Sequence, residues 1–371
     1  MGDIANVPQI QPGELAPHEP VPRVLKDAFK LWKGRVEPII QGRAEGLTAL
    51  EAVEVKRHDI SAQTLWEATQ SFQASLGLGR ENHIKIEEVS ESHAIDSYSL
   101  TTIPGLIVIP SLLPPAVQQS MLSRLFHRDL SNPKHKTNLH LHYNVQYPPA
   151  QPTEGVDGVT SKTSHPSREQ KSFFGDKPDS VAFLPKNPKE HKPLATKAAL
   201  KKKLRWITLG GQYDWTAKAY PKEPPPPFPE DIASFIHKIF PSMEPQAAIV
   251  NVYSPGDTLS MHRDVSEKVD KGLVSISLGC DAIFIIGLAS DDAPPVYEVL
   301  RLRSGDAVYM TGQSRLAWHG VPSIISGTCP DYLQDWPGEE FPEWRGWMKD
   351  KRINLNVRQM FDDGKVKEEE R

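Results

Sequence analysis

Residues 251–264 read NVYSPGDTLSMHRD, in which an apolar run enters a Pro-Gly turn and the chain emerges with a histidine and an aspartate two residues apart. Alternate residues of an extended chain point to the same side, so His262 and Asp264 share a face. The chain has 13 histidines and 47 acidic residues, so in isolation this spacing also fits a surface pair that arose by chance. Its meaning depends on two segments further along the chain.

Both later segments carry groups suited to a metal centre. Residues 316–322, LAWHGVP, place His319 in an apolar setting, and residues 351–359, KRINLNVRQ, alternate strictly between polar and apolar side chains. Two histidines and a carboxylate leave positions open on iron(II), and the arginines of the second segment suit a dicarboxylate. The alternative for that segment is the solvated side of an ordinary antiparallel strand. Jointly, the three segments favour a 2-oxoglutarate-dependent iron oxygenase.

Six segments carry a wider resemblance: NVYSPGD (251–257), HRD (262–264), VSISLG (274–279), SGD (304–306), SRLAWHGV (314–321) and RINLNVR (352–358). In this order they resemble the AlkB family of nucleic-acid dealkylating dioxygenases, over about residues 100–361. Residues 204–215, LRWITLGGQYDW, are similar to a segment ahead of the core in the eukaryotic branch called AlkB homologue one.

The residue patterns and the family resemblance both predict an α+β fold. Short β-branched or aromatic runs separated by turn residues predict strands at 247–253, 273–279, 282–287, 296–302, 306–310 and 352–358. This pattern fits a double-stranded β-helix, a cupin-like jelly-roll, with flanking helices and long loop insertions. Helices are predicted at 24–33, 61–77, 114–129 and 230–240.

The resemblance implies iron(II) as the metal, with 2-oxoglutarate and dioxygen as co-substrates. It assigns His262, Asp264 and His319 as the catalytic metal ligands. It also assigns cofactor-binding roles, with Arg352, Asn354 and Tyr253 at the distal carboxylate of 2-oxoglutarate and Arg358 and Asn251 at its keto-acid end. The implied reaction is oxidative demethylation of methylated bases in DNA or tRNA, which releases formaldehyde, succinate and carbon dioxide.

Substrate recognition is predicted from two further regions. In the resemblance, residues 204–229 form a lid over the substrate, where Tyr213 or Trp215 would stack on an extruded base. Core packing is the alternative for each ring. Between Lys186 and Arg205, eight basic residues meet one acid, which predicts contact with phosphates unless the run is simply solvated. Ser266 stands at the position where some bacterial relatives carry an acidic residue that contacts the damaged base. The sequence therefore does not predict which methylated base is the substrate.

Other functions fit parts of the same pattern. A 2-oxoglutarate-dependent protein hydroxylase or demethylase would share the fold and the cofactors. An abasic-site DNA lyase could be a side activity through a lysine. A binding module that keeps the fold without catalysis, and a metal-binding cupin without 2-oxoglutarate, are the remaining alternatives.

Composition limits the binding partners and the cellular location that can be expected. The net charge is 43 minus 47, or −4, so only local patches can attract nucleic acid. Cys280 and Cys329 are expected to be free thiols. The sequence shows no leader and no apolar stretch of about 20 residues, so a soluble intracellular protein is expected, in the nucleus, cytoplasm or mitochondrion, without membrane association. Oligomeric state is not predicted.

The predicted domain organisation has three parts. Residues 1–100 form a partly disordered extension with short helices, residues 101–361 form the dioxygenase domain, and residues 362–371 form a charged tail. Within the domain, residues 131–203 are predicted to be a polar, lysine-rich insertion, because so long a stretch with few apolar runs is unusual in a compact domain.

Overall fold

The structure is a computed structural model, and it describes residues 19–35, 46–48, 50, 55–57, 60–74, 95–148, 172–213, 221, 224–267, 269–290 and 293–362. No helix among these residues is long and apolar enough to cross a membrane. Predicted features at 149–171, at Trp215 and at 363–371 lie outside the described residues.

The described strands, in chain order, are β1 (Val55–Arg57), β2 (Tyr98–Leu100), β3 (Leu106–Ile109), β4 (Tyr143–Val145), β5 (Val181–Pro185), β6 (Leu194–Ala195), β7 (Trp206–Gly210), β8 (Ala247–Tyr253), β9 (Leu259–His262), β10 (Leu273–Gly279), β11 (Ala282–Ser290), β12 (Ala293–Leu302), β13 (Ala307–Met310), β14 (Trp318–Ile324) and β15 (Arg352–Arg358). They form a major sheet in the order β1-β2-β3-β13-β10-β15-β8-β7, a minor sheet in the order β12-β11-β14-β9, and a small sheet, β4-β5-β6. All the pairings are antiparallel.

The longer helices are α1 (Arg23–Trp32), α2 (Ala62–Ala74), α3 (Pro115–Ser123) and α4 (Glu230–Ile239). Shorter helical turns lie at Arg124–Asp129, Asn138–Leu141, Phe173–Gly175, Thr196–Ala198, Ala199–Lys203, Gly312–Arg315, Asp331–Gln334, Gly338–Glu340 and Pro342–Trp344. All four predicted helices are confirmed. Residues in the first turn favour the start of two of them. Pro115 occupies the first turn of α3, where its missing N–H costs nothing, and Glu230 and Asp231 complement the dipole of α4.

The major and minor sheets share one hydrophobic core. That core contains Ile276 of the major sheet, Ile286 of the minor sheet and the buried faces of α2, α3 and α4. In β15, Ile353, Leu355 and Val357 are fully buried, and the alternating polar residues face the other way. Two antiparallel sheets with helices agree with the expected jelly-roll class, and the polar face of β15 is available for a site between them.

The minor sheet departs from the strand prediction in two ways. β12 begins at Ala293, ahead of the predicted start at 296, although Pro294 and Pro295 follow. β12 is an edge strand, and an edge tolerates proline because no neighbour needs its N–H. β9 and β14 were not predicted, since β9 has only four residues and β14 contains Gly320 and Pro322.

Residues before 101 contribute to the major sheet. β1 pairs with β2, and β2 pairs with β3. The predicted boundary at residues 100 and 101 therefore falls between paired strands of one sheet.

The stretch predicted as an insertion contains regular structure where it is described. The small sheet and four helical turns lie within residues 138–203, and Leu139, Phe173, Phe183 and Leu200 are buried in the main core. Further on, Trp336, Trp344 and Trp347 are also buried, in ring contacts with Phe126 or Phe174. Cys280 and Cys329 are free and buried, as predicted.

Candidate metal and co-substrate site

Two strands of the minor sheet bring the predicted metal ligands together. His262 at the end of β9 lies directly opposite His319 near the start of β14, and Asp264 follows two residues after His262. One potential ligand atom from each of the three side chains lies within 4.8 Å of the others. The His262 Nε2 atom is 3.7 Å from Asp264 Oδ1, and the His319 Nε2 atom is 4.0 Å from Asp264 Oδ2. The three side chains therefore converge on one point.

The hydrogen bonds of the two imidazoles orient both rings in the same way. The Nδ1–H of His262 donates to the carbonyl of Ser260 at 2.9 Å, and that of His319 donates to the carbonyl of Ala317 at 3.1 Å. A donor at Nδ1 leaves the lone pair on Nε2, which is the atom that faces Asp264. Each ring thus presents a nitrogen ligand to the common point.

The charges of this cluster suit a divalent cation. Burial, followed by the neighbouring His262, lowers the pKa of His319 to about 4, so the ring is neutral near pH 7. Burial alone would raise the pKa of Asp264, but Arg358 and then the two histidines hold it well below its usual range. Two imidazole nitrogens and one carboxylate are a donor set that iron(II) accepts.

The major sheet places a cradle of donors next to this cluster. Arg352 on β15 lies opposite Tyr253 on β8, with its guanidinium 5.4 Å from the Tyr253 ring. Arg352 is 1% exposed, and its Nη2 donates to Ser277 Oγ at 3.0 Å. Among the described residues, its Nε and Nη1 and the Tyr253 hydroxyl make no hydrogen bond of good geometry, although the Arg352 and Tyr253 side chains are close enough to interact with each other. Unsatisfied buried donors are costly, so this cradle fits a carboxylate from a ligand.

The two asparagines predicted for the co-substrate lie beside the cradle. Asn354 is opposite Asn251 across β15 and β8, so the two share a face with Arg352 and Tyr253. The Asn354 amide already donates to Ser275 Oγ at 2.9 Å and to the carbonyl of Ile276 at 3.1 Å. The structure therefore places Asn354 at the site while its amide hydrogens are bonded to β10.

Arg358, at the far end of β15, joins the metal cluster to a buried network of charges. Its Nη2 is 3.2 Å from Asp264 Oδ2, and its Nη1 is 3.0 Å from Glu267 Oε1. The other Glu267 oxygen accepts from Arg315 Nη2 at 2.7 Å, and Arg315 Nη1 donates to the carbonyl of Asp264 at 2.7 Å. Glu267 and Arg315 are each 3% exposed. The loop carrying Asp264 is thus held between two arginines, and sequence reasoning did not identify Glu267 or Arg315.

Two aromatic side chains border the cluster. Tyr213 is half-buried, and its hydroxyl accepts a hydrogen bond from Ser266 Oγ at 3.3 Å. Asp264 and Glu267 add to the effect of burial in raising the Tyr213 pKa, which shows that the phenol lies close to both carboxylates. Trp206 was not predicted as a site residue, yet it lies opposite Asn251 on the same side of the major sheet.

Comparison with known proteins assigns this site to a family. Residues 162–358 match the model of the 2OG-Fe(II) oxygenase superfamily, and this span contains all three metal-ligand candidates and the whole of β15. The chain belongs to the 2OG-Fe(II) oxygenase superfamily. Members use iron(II), 2-oxoglutarate and dioxygen, so the donor set and the cradle match the cofactors of the family.

The relatives of this oxygenase confirm its resemblance to eukaryotic AlkB homologues. A Pyricularia oryzae protein named N6-methyladenosine RNA demethylase ALKB1 is 55% identical over 70% of this chain and 75% of its own length. A Cryphonectria parasitica protein named N6-methyladenosine RNA demethylase ALKBH is 53% identical over 60% of this chain and 100% of its own. The Schizosaccharomyces pombe tRNA demethylase abh1 is 38% identical over 71% of this chain and 81% of its own.

The Glu267 network of this oxygenase leads to a prediction about metal affinity and stability. Burial alone would raise the pKa of Glu267, but Arg358 and Arg315 lower it by more than burial raises it. The pKa of Glu267 is therefore lower than its ordinary value of 4.5. The carboxylate therefore stabilises the fold above pH 4.5, and this contribution is lost as the pH falls through the folded-state pKa. We expect Glu267→Gln to destabilise the protein at pH 7 by about 3 kcal/mol and to weaken Mn²⁺ binding about tenfold.

Chemical unfolding at a series of pH values and Mn²⁺ titration measure these two effects. The stability difference from the wild type should shrink below pH 4.5. Glu244, whose side chain is 44% exposed and pairs with His237, provides the control Glu244→Gln, with little expected change. Equal Mn²⁺ affinity in wild type and Glu267→Gln would show that the network does not position Asp264.

Proposed function

We propose that this chain is an iron(II)- and 2-oxoglutarate-dependent dioxygenase that oxidatively demethylates methylated bases in nucleic acid, in DNA or in RNA such as tRNA. One observation carries the proposal. The ligand cluster of the minor sheet and the donor cradle of the major sheet face the same space, and Arg358 contacts Asp264 at 3.2 Å where they meet. The substrate class is supported by relatives that are named as demethylases of RNA and tRNA.

Each part of the site has a role in the proposed reaction. His262, Asp264 and His319 hold the iron, which supplies the oxidation of an N-methyl group by dioxygen coupled to decarboxylation of 2-oxoglutarate. Arg352 and Tyr253 bind the distal carboxylate of 2-oxoglutarate, assisted by Asn354. Burial raises the pKa of Tyr253 to about 12, so its phenol stays protonated and can donate to that carboxylate. Arg358, which lies 3.2 Å from Asp264, and Asn251, on the same face of the sheet as Tyr253, would orient the keto-acid end.

The half-buried rings are proposed to hold the methylated base. Trp206 is the first residue of β7 and Tyr213 lies three residues beyond the end of that strand, and Tyr213 contacts Ser266, two residues after Asp264. Base stacking on an aromatic face contributes about 1–3 kcal/mol and tolerates any base. Trp215, the other predicted substrate residue, stays a proposal from the sequence.

The basic run at residues 186–205 is proposed to bind the phosphate backbone. Lys201, Lys202 and Lys203 are exposed on one helical turn. Two contacts connect this turn to the site: Lys351 Nζ donates to the carbonyl of Lys201 at 2.7 Å, and Arg205 forms an ion pair with Asp257 in the turn between β8 and β9. A nucleic acid held by these lysines would therefore lie next to the strands that carry the site.

Neutralising these lysines tests that interaction. We expect replacement of Lys201, Lys202 and Lys203 by alanine to weaken oligonucleotide binding and to make its salt dependence shallower, by a log–log slope of about 2 for single strands. Filter binding across a salt series measures the slope. A matched control replaces the exposed Lys26, Lys30 and Lys33 of α1 by alanine. Unchanged binding and turnover in the 201–203 variant would instead favour a protein substrate.

Nucleoside mass spectrometry tests the proposed function directly. The full chain is incubated with iron(II), ascorbate, 2-oxoglutarate and oxygen, together with pools of methylated DNA, messenger RNA and tRNA, and parallel samples omit 2-oxoglutarate. Loss of one methylated nucleoside with release of formaldehyde, only in the complete mixture, is the expected result. Consumption of 2-oxoglutarate with every methylated nucleoside intact would refute nucleic-acid demethylation and would direct the search to proteins.

A further inference from the structure

The N-terminal segment, residues 19–35, covers the side of the minor sheet that faces away from the metal ligands. Its helix α1 buries Leu25, Ala28 and Trp32, each at most 4% exposed. These side chains form a separate hydrophobic cluster with Met261, Ile283, Ile285, Val299, Trp318 and Ile325 of the sheet and its flank. Helices α2, α3 and α4 belong to the main core instead. Helix α1 thus packs specifically on the sheet that carries both histidines.

The contacts of α1 fall next to the metal ligands in sequence. Met261 directly precedes His262, and Trp318 directly precedes His319. Successive side chains of a strand point to opposite faces, so packing on Met261 and Trp318 fixes the backbone from which the two imidazoles project. The approach is close: a Cβ at Gly287, which lies opposite Trp318, would be 2.6 Å from Leu25 Cδ2.

Arg263, between His262 and Asp264, also contacts the N-terminal segment. Its guanidinium lies 4.6 Å from the centre of the Trp318 ring, and it forms an ion pair with Glu19. The Arg263 side chain is only 9% exposed. Both neighbours of His262 in the chain, Met261 and Arg263, are therefore held from the outer side of the sheet.

Hydrogen bonds fix the segment at the far end of β14 as well. Ser323 Oγ donates to the carbonyl of Trp32 at 2.7 Å and accepts from the backbone N–H of Gly34 at 2.9 Å. The N-terminal segment thus contacts β14 near His319 and again four residues further along. Two separated attachments prevent the strand from rotating under the helix.

We propose that residues 19–35 position the metal centre, a role that rests on the proposed function of the site. Glu19, Leu25 and Trp32 do not contact the metal ligands themselves; they act through Met261, Arg263 and Trp318. A metal site binds tightly when the groups behind its ligands hold them in place. Loosening the helix therefore spreads the positions of His262 and His319 and lowers metal affinity while the major sheet remains folded.

Two leucines of α1 provide a matched test. Leu25 is 0% exposed against the minor sheet, and Leu31, on the same helix, is 57% exposed. Isothermal titration with Mn²⁺ is performed on the full chain carrying Leu25→Ala or Leu31→Ala, at a temperature where circular dichroism shows both variants folded. We expect the Kd for Mn²⁺ to rise at least fivefold in Leu25→Ala and to stay at the wild-type value in Leu31→Ala.

The outcomes separate the inference from the proposed function. A Leu25→Ala variant that melts at a lower temperature but binds Mn²⁺ with the wild-type Kd would overturn the positioning role. Failure of the wild type to bind Mn²⁺ would overturn the metal site itself. If Leu25→Ala does not fold, Glu19→Gln, which removes only the ion pair to Arg263, is titrated instead. A Kd at least twofold above wild type supports the inference, and an unchanged Kd overturns it.

Discussion

Replacing Asp264 by alanine is expected to abolish demethylation, with turnover at least about 100-fold below the wild type. Supporting residues around a metal commonly account for 10–100-fold in affinity or activity, and Asp264 is itself a candidate ligand. It also supplies the only carboxylate in the three-residue cluster found among the described residues. The measurement is loss of methylated nucleoside under saturating iron(II) and 2-oxoglutarate, with Mn²⁺ binding titrated in parallel.

The matched control for this prediction is Asp270→Ala. Asp270 is an exposed carboxylate six residues further along the same loop region. Both variants should fold, and only Asp264→Ala should lose metal binding and turnover. Removing Asp264 also removes its ion pair with Arg358, while the ion pair between Arg358 and Glu267 can persist. A variant that retained wild-type turnover without Asp264 would show that the metal, if one is used, is held elsewhere.

Replacing Arg352 by methionine is expected to raise the KM for 2-oxoglutarate on the order of 30-fold or more, since losing one partner of a buried charged pair costs about 2–5 kcal/mol. Burial lowers the pKa of this arginine. Without the co-substrate its Nε and Nη1 lack partners among the described residues. An apolar side chain of similar length removes that penalty, so the variant without ligand should be at least as stable as the wild type.

Thermal melting with and without 2-oxoglutarate separates the two effects of the Arg352 substitution. The wild type should melt at a higher temperature when 2-oxoglutarate is present, and Arg352→Met should show almost none of this increase. Arg345→Met is the control, because Arg345 is exposed and pairs with Asp335 on the surface. A metal-binding cupin that does not use 2-oxoglutarate would show no increase in melting temperature with 2-oxoglutarate in any of the three proteins, and its activity would be unchanged by either substitution.

The parts of the site that sequence predicted are those with a local signal. His262 and Asp264 are two residues apart after a Pro-Gly turn, and β15 alternates polar and apolar residues over its whole length. Glu267 lies 48 residues from Arg315 and 91 residues from Arg358. Charged residues in loops usually read as solvated surface, and only the tertiary fold shows that these three are buried together.

The same reason explains Trp206 and the N-terminal helix. Trp206 becomes a candidate site residue because β7 pairs with β8 and places it opposite Asn251. The apolar spacing of residues 24–33 predicted a helix, but a helix face does not specify its neighbour. Its contact with Met261 and Trp318 depends on chain segments more than 200 residues away. Sequence periodicity therefore predicts the helix or strand, whereas pairing between distant segments determines which residues it contacts.

The unsatisfied donors of Arg352 have a consequence for how the stability of this enzyme depends on the concentration of 2-oxoglutarate. A ligand that binds only the folded state stabilises it by RT ln(1 + [L]/Kd), about 2.7 kcal/mol when the ligand is at 100 times its Kd. If Arg352 binds the distal carboxylate with its Nε and Nη1, as proposed, 2-oxoglutarate is such a ligand. Shortage of this metabolite would then enlarge the unfolded fraction that proteases remove, so the amount of enzyme would fall along with its rate.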